Sequence, residues 1–152
     1  VFHCCKESEN NIKKALTLIK DKKLACMALI LNKEKVYTRL QNEKHILYNW
    51  VVNLLIDVLI TKNILPQEEK IFFIASRRET NKTLNENFLS YLKSQNKDKL
   101  DIEFVIKTAY QEKGLQVVDV LSYAIYQKYE HGNDELYSMI ENFIIEEKNL
   151  FS

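Results

Sequence analysis

Residues 113–132, KGLQVVDVLSYAIYQKYEHG, decide how this chain is read. Apolar side chains recur through the stretch at three- and four-residue steps, the spacing of a helix that covers a core. At about 100° per residue, Gln116, Asp119, Tyr123, Tyr126 and Glu130 fall in one narrow arc. Val117, Val118, Leu121, Ala124 and Ile125 share the wide opposite side. Gly132 is suited to close the helix as its C′ residue. The informative residue is Asp119, set inside VVDVL: a carboxylate there must be solvated, hydrogen-bonded or holding a metal. Its polar stripe is therefore either a solvent face or one wall of a site.

Outward from this helix, the pattern alternates strands with helices. VFHCC at the start is short and β-compatible, and KESENNIKKALTLIKDKK follows as a helix with Ser8 or Asn10 as N-cap. LACMALILNKEKVY reads as a buried strand, and NEKHILYNWVVNLLIDVLITKN as a long apolar helix ending before Pro66. EKIFFIAS is the clearest strand, TLNENFLSYLKSQ an amphipathic helix, and LDIEFVIKTAY a strand with one apolar and one wet face. DELYSMIENFIIEEKNLF closes the chain as another helix, with a short last strand as an option. The expectation is an α/β layered domain with at least partly parallel strands.

Composition bounds the function. A chain of 152 residues gives a one-domain prior, residues 1–152, and can bury a real core. Two glycines and one proline are too few for a glycine-rich phosphate loop. The net charge of +1 supplies no global field for nucleic acid, so such binding needs a local patch. No apolar run reaches membrane-spanning length and no signal-peptide pattern opens the chain, so a cytoplasmic protein without a membrane partner is expected. Cys4 and Cys5 are adjacent, a poor geometry for a mutual bridge, and Cys26 reads as a small core residue. His3 beside them suggests a metal only weakly, because no second Cys/His cluster completes a tetrahedral set.

Two stretches carry chemistry. SRRETNK places Arg77, Arg78 and Lys82 directly after the strongest strand, at an edge where α/β proteins hold ligands. Arginine forks match phosphate oxygens; a solvated loop with Arg–Glu79 pairing reads equally well. Asp119 is the kind of helical carboxylate that contributes to a two-metal phosphodiester site, although one aspartate does not make one. His45 and His131 lack partners for nucleophilic catalysis, and Tyr48 and Trp50 read as core.

The sequence resembles the microbial domain of unknown function 3800 family. The likeness rests on Leu115, Gln116, Asp119, Tyr123, Ala124, Lys128, Glu130 and Gly132. It is supported more loosely by Phe2, His3 and Lys13 or Lys14, and by IFFIASRRETNKTLNENFLSYL. The resemblance implies a ribonuclease H-like mixed sheet flanked by helices, and a Mg²⁺- or Mn²⁺-dependent nuclease in mobile-element or phage-defence settings. In that scheme Asp119 holds metal, His3 contacts phosphate or transfers a proton, and Gln116 binds substrate or orients the carboxylate. Arg77, Arg78 and Lys82 position nucleic acid. Glu7 or Glu9 could add a carboxylate, although helix-dipole stabilisation explains them better. Family members open with an Asp-Glu-Ser-Gly strand whose aspartate is the first metal ligand. It is absent here, which suits a fragment, and Ser76 stands where related nucleases often carry an acid. The alternative is a non-catalytic nucleic-acid- or protein-binding module of the same fold. HILYNWVVNLLIDVLI adds a surface for homo-oligomerisation if it is not wholly buried.

Overall fold

The computed structural model describes residues 2–150. Its elements run α1 (Glu9–Ile19), β1 (Cys26–Leu31), α2 (Thr38–Asn42), α3 (Lys44–Thr61), β2 (Ile71–Ser76), α4 (Lys82–Asn96), β3 (Ile102–Lys107), α5 (Gly114–His131), α6 (Glu135–Ile140) and β4 (Ile144–Leu150). The class is mixed α/β. Among the described residues the strands pair in two two-stranded sheets, β1 with β4 and β2 with β3, rather than in one mixed sheet. Val1, Phe151 and Ser152, the outer ends of the expected first and last elements, lie outside the described residues.

One expectation about elements is corrected, and one left open is decided. Cys4–Lys6 forms a single 3-10 turn where a strand was expected, closed by the Lys6 N–H donating to the His3 carbonyl at 2.9 Å. The final helix stops at Ile140, and the short last strand offered by the sequence forms at Ile144–Leu150. There the run FIIEE places β-branched residues together, which favour extended backbone once the helical apolar spacing is lost.

The chain divides into two compact units, one gathering residues up to Ala28 with Thr108–Glu147, the other Leu29–Lys107 with the chain from Lys148. In the second, β2 and β3 are parallel and in register from Ile71↔Ile102 to Ser76↔Lys107. The Ile71 N–H donates to Asp101 and the Arg77 N–H to Lys107, extending the ladder at each end. Parallel neighbours need a crossover, and α4 supplies it. Its N-cap Asn81 accepts from the Leu84 N–H at 3.2 Å. Phe88 and Leu92, one turn apart, pack with Ile56 of α3, Ala75 of β2 and Phe104 of β3 in a single core.

One polar contact is sealed into this unit. Asn96 is buried and donates through Nδ2 to Asn53 Oδ1 at 2.9 Å and to the Leu92 carbonyl at 2.8 Å, leaving its own Oδ1 without a partner. α3 ends at Thr61, well before Pro66, because Asn63 takes the left-handed conformation at φ 54°. The Asn63 and Ile64 N–H groups donate to Ile60 and Leu59, the hydrogen-bond pattern of a Schellman stop. Trp50 is 39% exposed and Ile46 54%, so Trp50 is not the core residue expected; Leu47 and Ile56 on the same helix are buried. No helix among the described residues is long and apolar enough to cross a membrane.

In the first unit α5 contributes Val120, Leu121 and Ala124 to a core shared with Ile12 and Leu16 of α1 and Leu136 and Ile140 of α6. Val118, expected on the core side, is 53% exposed. The buried arc is centred on Leu121 and Ala124, which turns Val118 outward. Ser8 caps α1 by accepting from the Asn11 N–H, and Gly132 ends α5 at φ 65°. Lys13 Nζ bonds Glu135 at 2.5 Å. Glu147 accepts from the hydroxyls of Tyr129 and Tyr137 together.

Two stability outcomes follow from these contacts. Leu92→Ala opens a cavity among Ile56, Ala75, Phe88 and Phe104, and urea denaturation should show a loss of about 2–5 kcal/mol. Asn63→Gly removes the left-handed penalty of a Cβ and should leave stability unchanged or raise it by up to about 1 kcal/mol.

Candidate functional site

The polar stripe of α5 is occupied by the chain's own backbone. Asp119 Oδ2 accepts from the Cys4 N–H at 3.1 Å, and Gln116 Oε1 accepts from the Phe2 N–H at 3.2 Å. Gln116 also donates through Nε2 to the Ala109 carbonyl at 3.0 Å, so one side chain ties together the chain before α1 and the loop before α5. Asp119 and Gln116 are both half-buried. They sit one turn apart and grip alternate residues of an extended segment, Phe2 and Cys4, with His3 between them. This is the answer to the carboxylate in VVDVL: it is hydrogen-bonded.

The grip has an electrostatic signature. Burial first, and then the negative charges of Asp119 and Glu7, push the Cys4 thiol up to about 12, with neighbouring Cys5 adding to the effect. All three cysteines are free thiols; Cys4 is buried, Cys5 exposed and Cys26 half-buried.

Carboxylates do not gather around Asp119. Glu7 accepts from the Asn11 side chain at 2.9 Å and Glu9 lies 3.5 Å from Lys13, so both serve the first turn of α1. Among the described residues no group of three or more His, Cys, Asp or Glu side chains is placed to hold a metal ion. A two-metal site needs several carboxylate oxygens converging on each ion. The donors present do not fit Mg²⁺ or Mn²⁺ in that arrangement.

The cations after β2 are arranged differently. The ladder between β2 and β3 carries the backbone to Arg77, whose N–H donates to the Lys107 carbonyl at 2.9 Å and whose Nε donates to the Glu79 carbonyl at 3.2 Å. Arg78 turns the other way and lays its guanidinium over the Tyr48 ring, 3.8 Å from the centroid. Tyr48 is itself held against Phe88, with ring centroids 5.4 Å apart. Burial raises the Tyr48 phenol above its ordinary value, and the nearby Arg78 cation offsets part of that rise. Such a stack contributes about 0.5–2 kcal/mol. It also holds an exposed guanidinium in place at the end of β2. Lys82 begins α4, fully solvated, with Glu86 at 3.8 Å. Ser76 lines a small cavity of ≈ 30 Å³ with His45, Arg78 and Glu79, space for about one water.

Sequence reasoning placed Arg77, Arg78 and Lys82 just after the strand; there Arg77 extends the β2–β3 ladder, Arg78 stacks on Tyr48 and Lys82 opens α4. Their expected pairing with Glu79 is limited to Arg77 reaching its carbonyl, while the Glu79 carboxylate faces His45 Nδ1 at 4.0 Å. Tyr48 and its stack went unseen, because nothing in LYNWVV marks which aromatic meets a cation thirty residues on. Gln116 and Asp119 come together as expected, but their partners are backbone N–H groups, which no side-chain pattern announces. Comparison with protein-family models, with curated proteins and with solved structures gave no match.

Two outcomes test the Asp119 grip. Asp119→Ala strands the Cys4 N–H and should cost about 1–3 kcal/mol, whereas Asp119→Asn keeps an acceptor and should cost less; equal losses would contradict the assignment. With its thiol held protonated, Cys4 should resist iodoacetamide between pH 7 and 9 while Cys5 alkylates, as peptide mass mapping reads directly.

Proposed function

We propose that this chain is a nucleic-acid-binding module of ribonuclease H-like fold that engages phosphates at the C-terminal edge of β2 and β3. The observation that carries this reading is the Arg78 guanidinium, held 3.8 Å from the Tyr48 ring centroid just after a parallel strand pair, with Arg77 and Lys82 close by in the sequence. A planar, pre-oriented fork suits bidentate phosphate contact, and ordering it before binding lowers the entropy lost on binding. A local patch of this kind is what a chain of net charge +1 requires. The parallel β2–α4–β3 unit and the resemblance to the domain of unknown function 3800 family support the ribonuclease H-like fold.

The nuclease reading uses Asp119 as ligand to Mg²⁺ or Mn²⁺ and His3 as the proton-transfer group. It asks for convergent carboxylates that the described residues do not bring to Asp119, so binding without cleavage is the better-supported function.

Fluorescence anisotropy with labelled DNA and RNA 20-mers tests the proposal. Binding should persist in EDTA, fall steeply as salt rises, and weaken by about tenfold or more in Arg78→Ala. Lys82→Ala should reduce the salt slope by about one, and Lys22→Ala should change nothing. Salt-independent binding, or affinity indifferent to Arg78 and Lys82, would refute it. Manganese-dependent cleavage abolished by Asp119→Asn would replace it with the nuclease reading.

A further inference from the structure

Beside the stacked Arg78 lies a second feature, a cleft of ≈ 690 Å³. That volume is within the range of small-molecule sites, about 300–1,000 Å³. One wall is apolar and comes from successive turns of α3, through Leu47, Tyr48 and Val51. Its rim is cationic, with Lys33, Lys44 and Arg78. Asn42 and Glu34 also line it and add an amide and a carboxylate able to meet amino and hydroxyl groups.

The mouth is built rather than incidental. Gln41 donates through Nε2 to the carbonyls of Lys33 at 2.8 Å and Val36 at 2.7 Å, tying the loop after β1 to α2. Asn32 accepts from the Glu34 N–H at 3.0 Å and sets the turn that carries Lys33 and Glu34. Arg78 joins the cleft to the strand edge, since one guanidinium belongs to both.

An apolar wall, a cationic rim and a few polar groups complement a flat heteroaromatic ring joined to a phosphate. Resting on the phosphate-binding reading above, we infer that the cleft takes one unstacked nucleotide of a single-stranded nucleic acid. The base lies against Leu47 and Val51, beside the Arg78–Tyr48 stack, and the phosphate sits at Arg78 and Lys44. Duplex is excluded from this contact because its bases are stacked and paired, while a single strand can turn a base out. Adjoining phosphates then pass to Arg77 and Lys82 along the strand edge.

The test uses the full chain with two probes, AMP and UMP by calorimetry, and single-stranded against duplex 20-mers by anisotropy at one salt concentration. Both monophosphates should bind saturably, and the single strand should bind tighter than the duplex by about tenfold. Val51→Trp, which fills the cleft, should remove mononucleotide binding and the single-strand preference while leaving salt-dependent duplex binding. Lys44→Ala, a change at an exposed position, should weaken AMP and UMP several-fold with an unaltered unfolding midpoint, so the outcome does not depend on Val51→Trp folding. Equal affinity for single strand and duplex, with no mononucleotide binding, would overturn the cleft assignment and leave the strand-edge reading standing. Absence of binding to any nucleic acid would overturn both.

Discussion

The parallel ladder from Ile71↔Ile102 to Ser76↔Lys107 is the constraint on which the functional reading depends. Two strands running the same way cannot be joined by a tight turn, so the chain must leave the end of β2, form α4 and return to the start of β3. That topology puts the residues after Ser76 at an open strand edge, with Arg77 still held by the Lys107 carbonyl. It also buries Phe88 and Leu92 of α4 against Ala75 and Phe104. Packing Phe88 in turn positions Tyr48, and Tyr48 positions Arg78. A chain of apolar contacts thus ends in an oriented cation.

The α5 stripe is a different solution to a similar problem. Gln116 and Asp119 spend their polarity on the N–H groups of Phe2 and Cys4, which an extended segment next to a 3-10 turn leaves without helix or sheet partners. A buried unpaired N–H is costly, and a carboxylate acceptor satisfies it with a charge-assisted bond. Burial first, with the same carboxylate adding to it, raises the Cys4 thiol. A residue pattern that suggests metal binding can therefore arise from backbone satisfaction, and the two are separated by counting the carboxylates that converge.

Elements with strong periodicity were legible in the chain: IFFIAS, LDIEFVIK and the helices at 9–19, 44–61, 82–96 and 114–131 are where their patterns put them. The misreadings have local causes. Near the start, the apolar residues are too few to pair, and Phe2 and Cys4 are held by α5 side chains instead. Val118 lies near the boundary of the buried arc, where a modest rotation of the helix decides exposure. At the C-terminal end the strand option is realised: ELYSMI is helical, and IIEEKNL pairs with β1, more than a hundred residues earlier. The cations of SRRETNK were legible because they are contiguous. The cleft was not, since its wall comes from α3 and its rim from Lys33, Lys44 and Arg78, brought together only by folding.

The central claim is that oriented cations at the β2–β3 edge, and not the α5 stripe, meet nucleic-acid phosphate. Amide chemical-shift mapping of the ¹⁵N-labelled chain during titration with a single-stranded oligonucleotide tests it most directly. The account predicts perturbations concentrated at residues 76–82 and along the cleft, around 33, 44 and 47–51. Perturbations centred on His3, Gln116 and Asp119, with residues 76–82 unmoved, would contradict it.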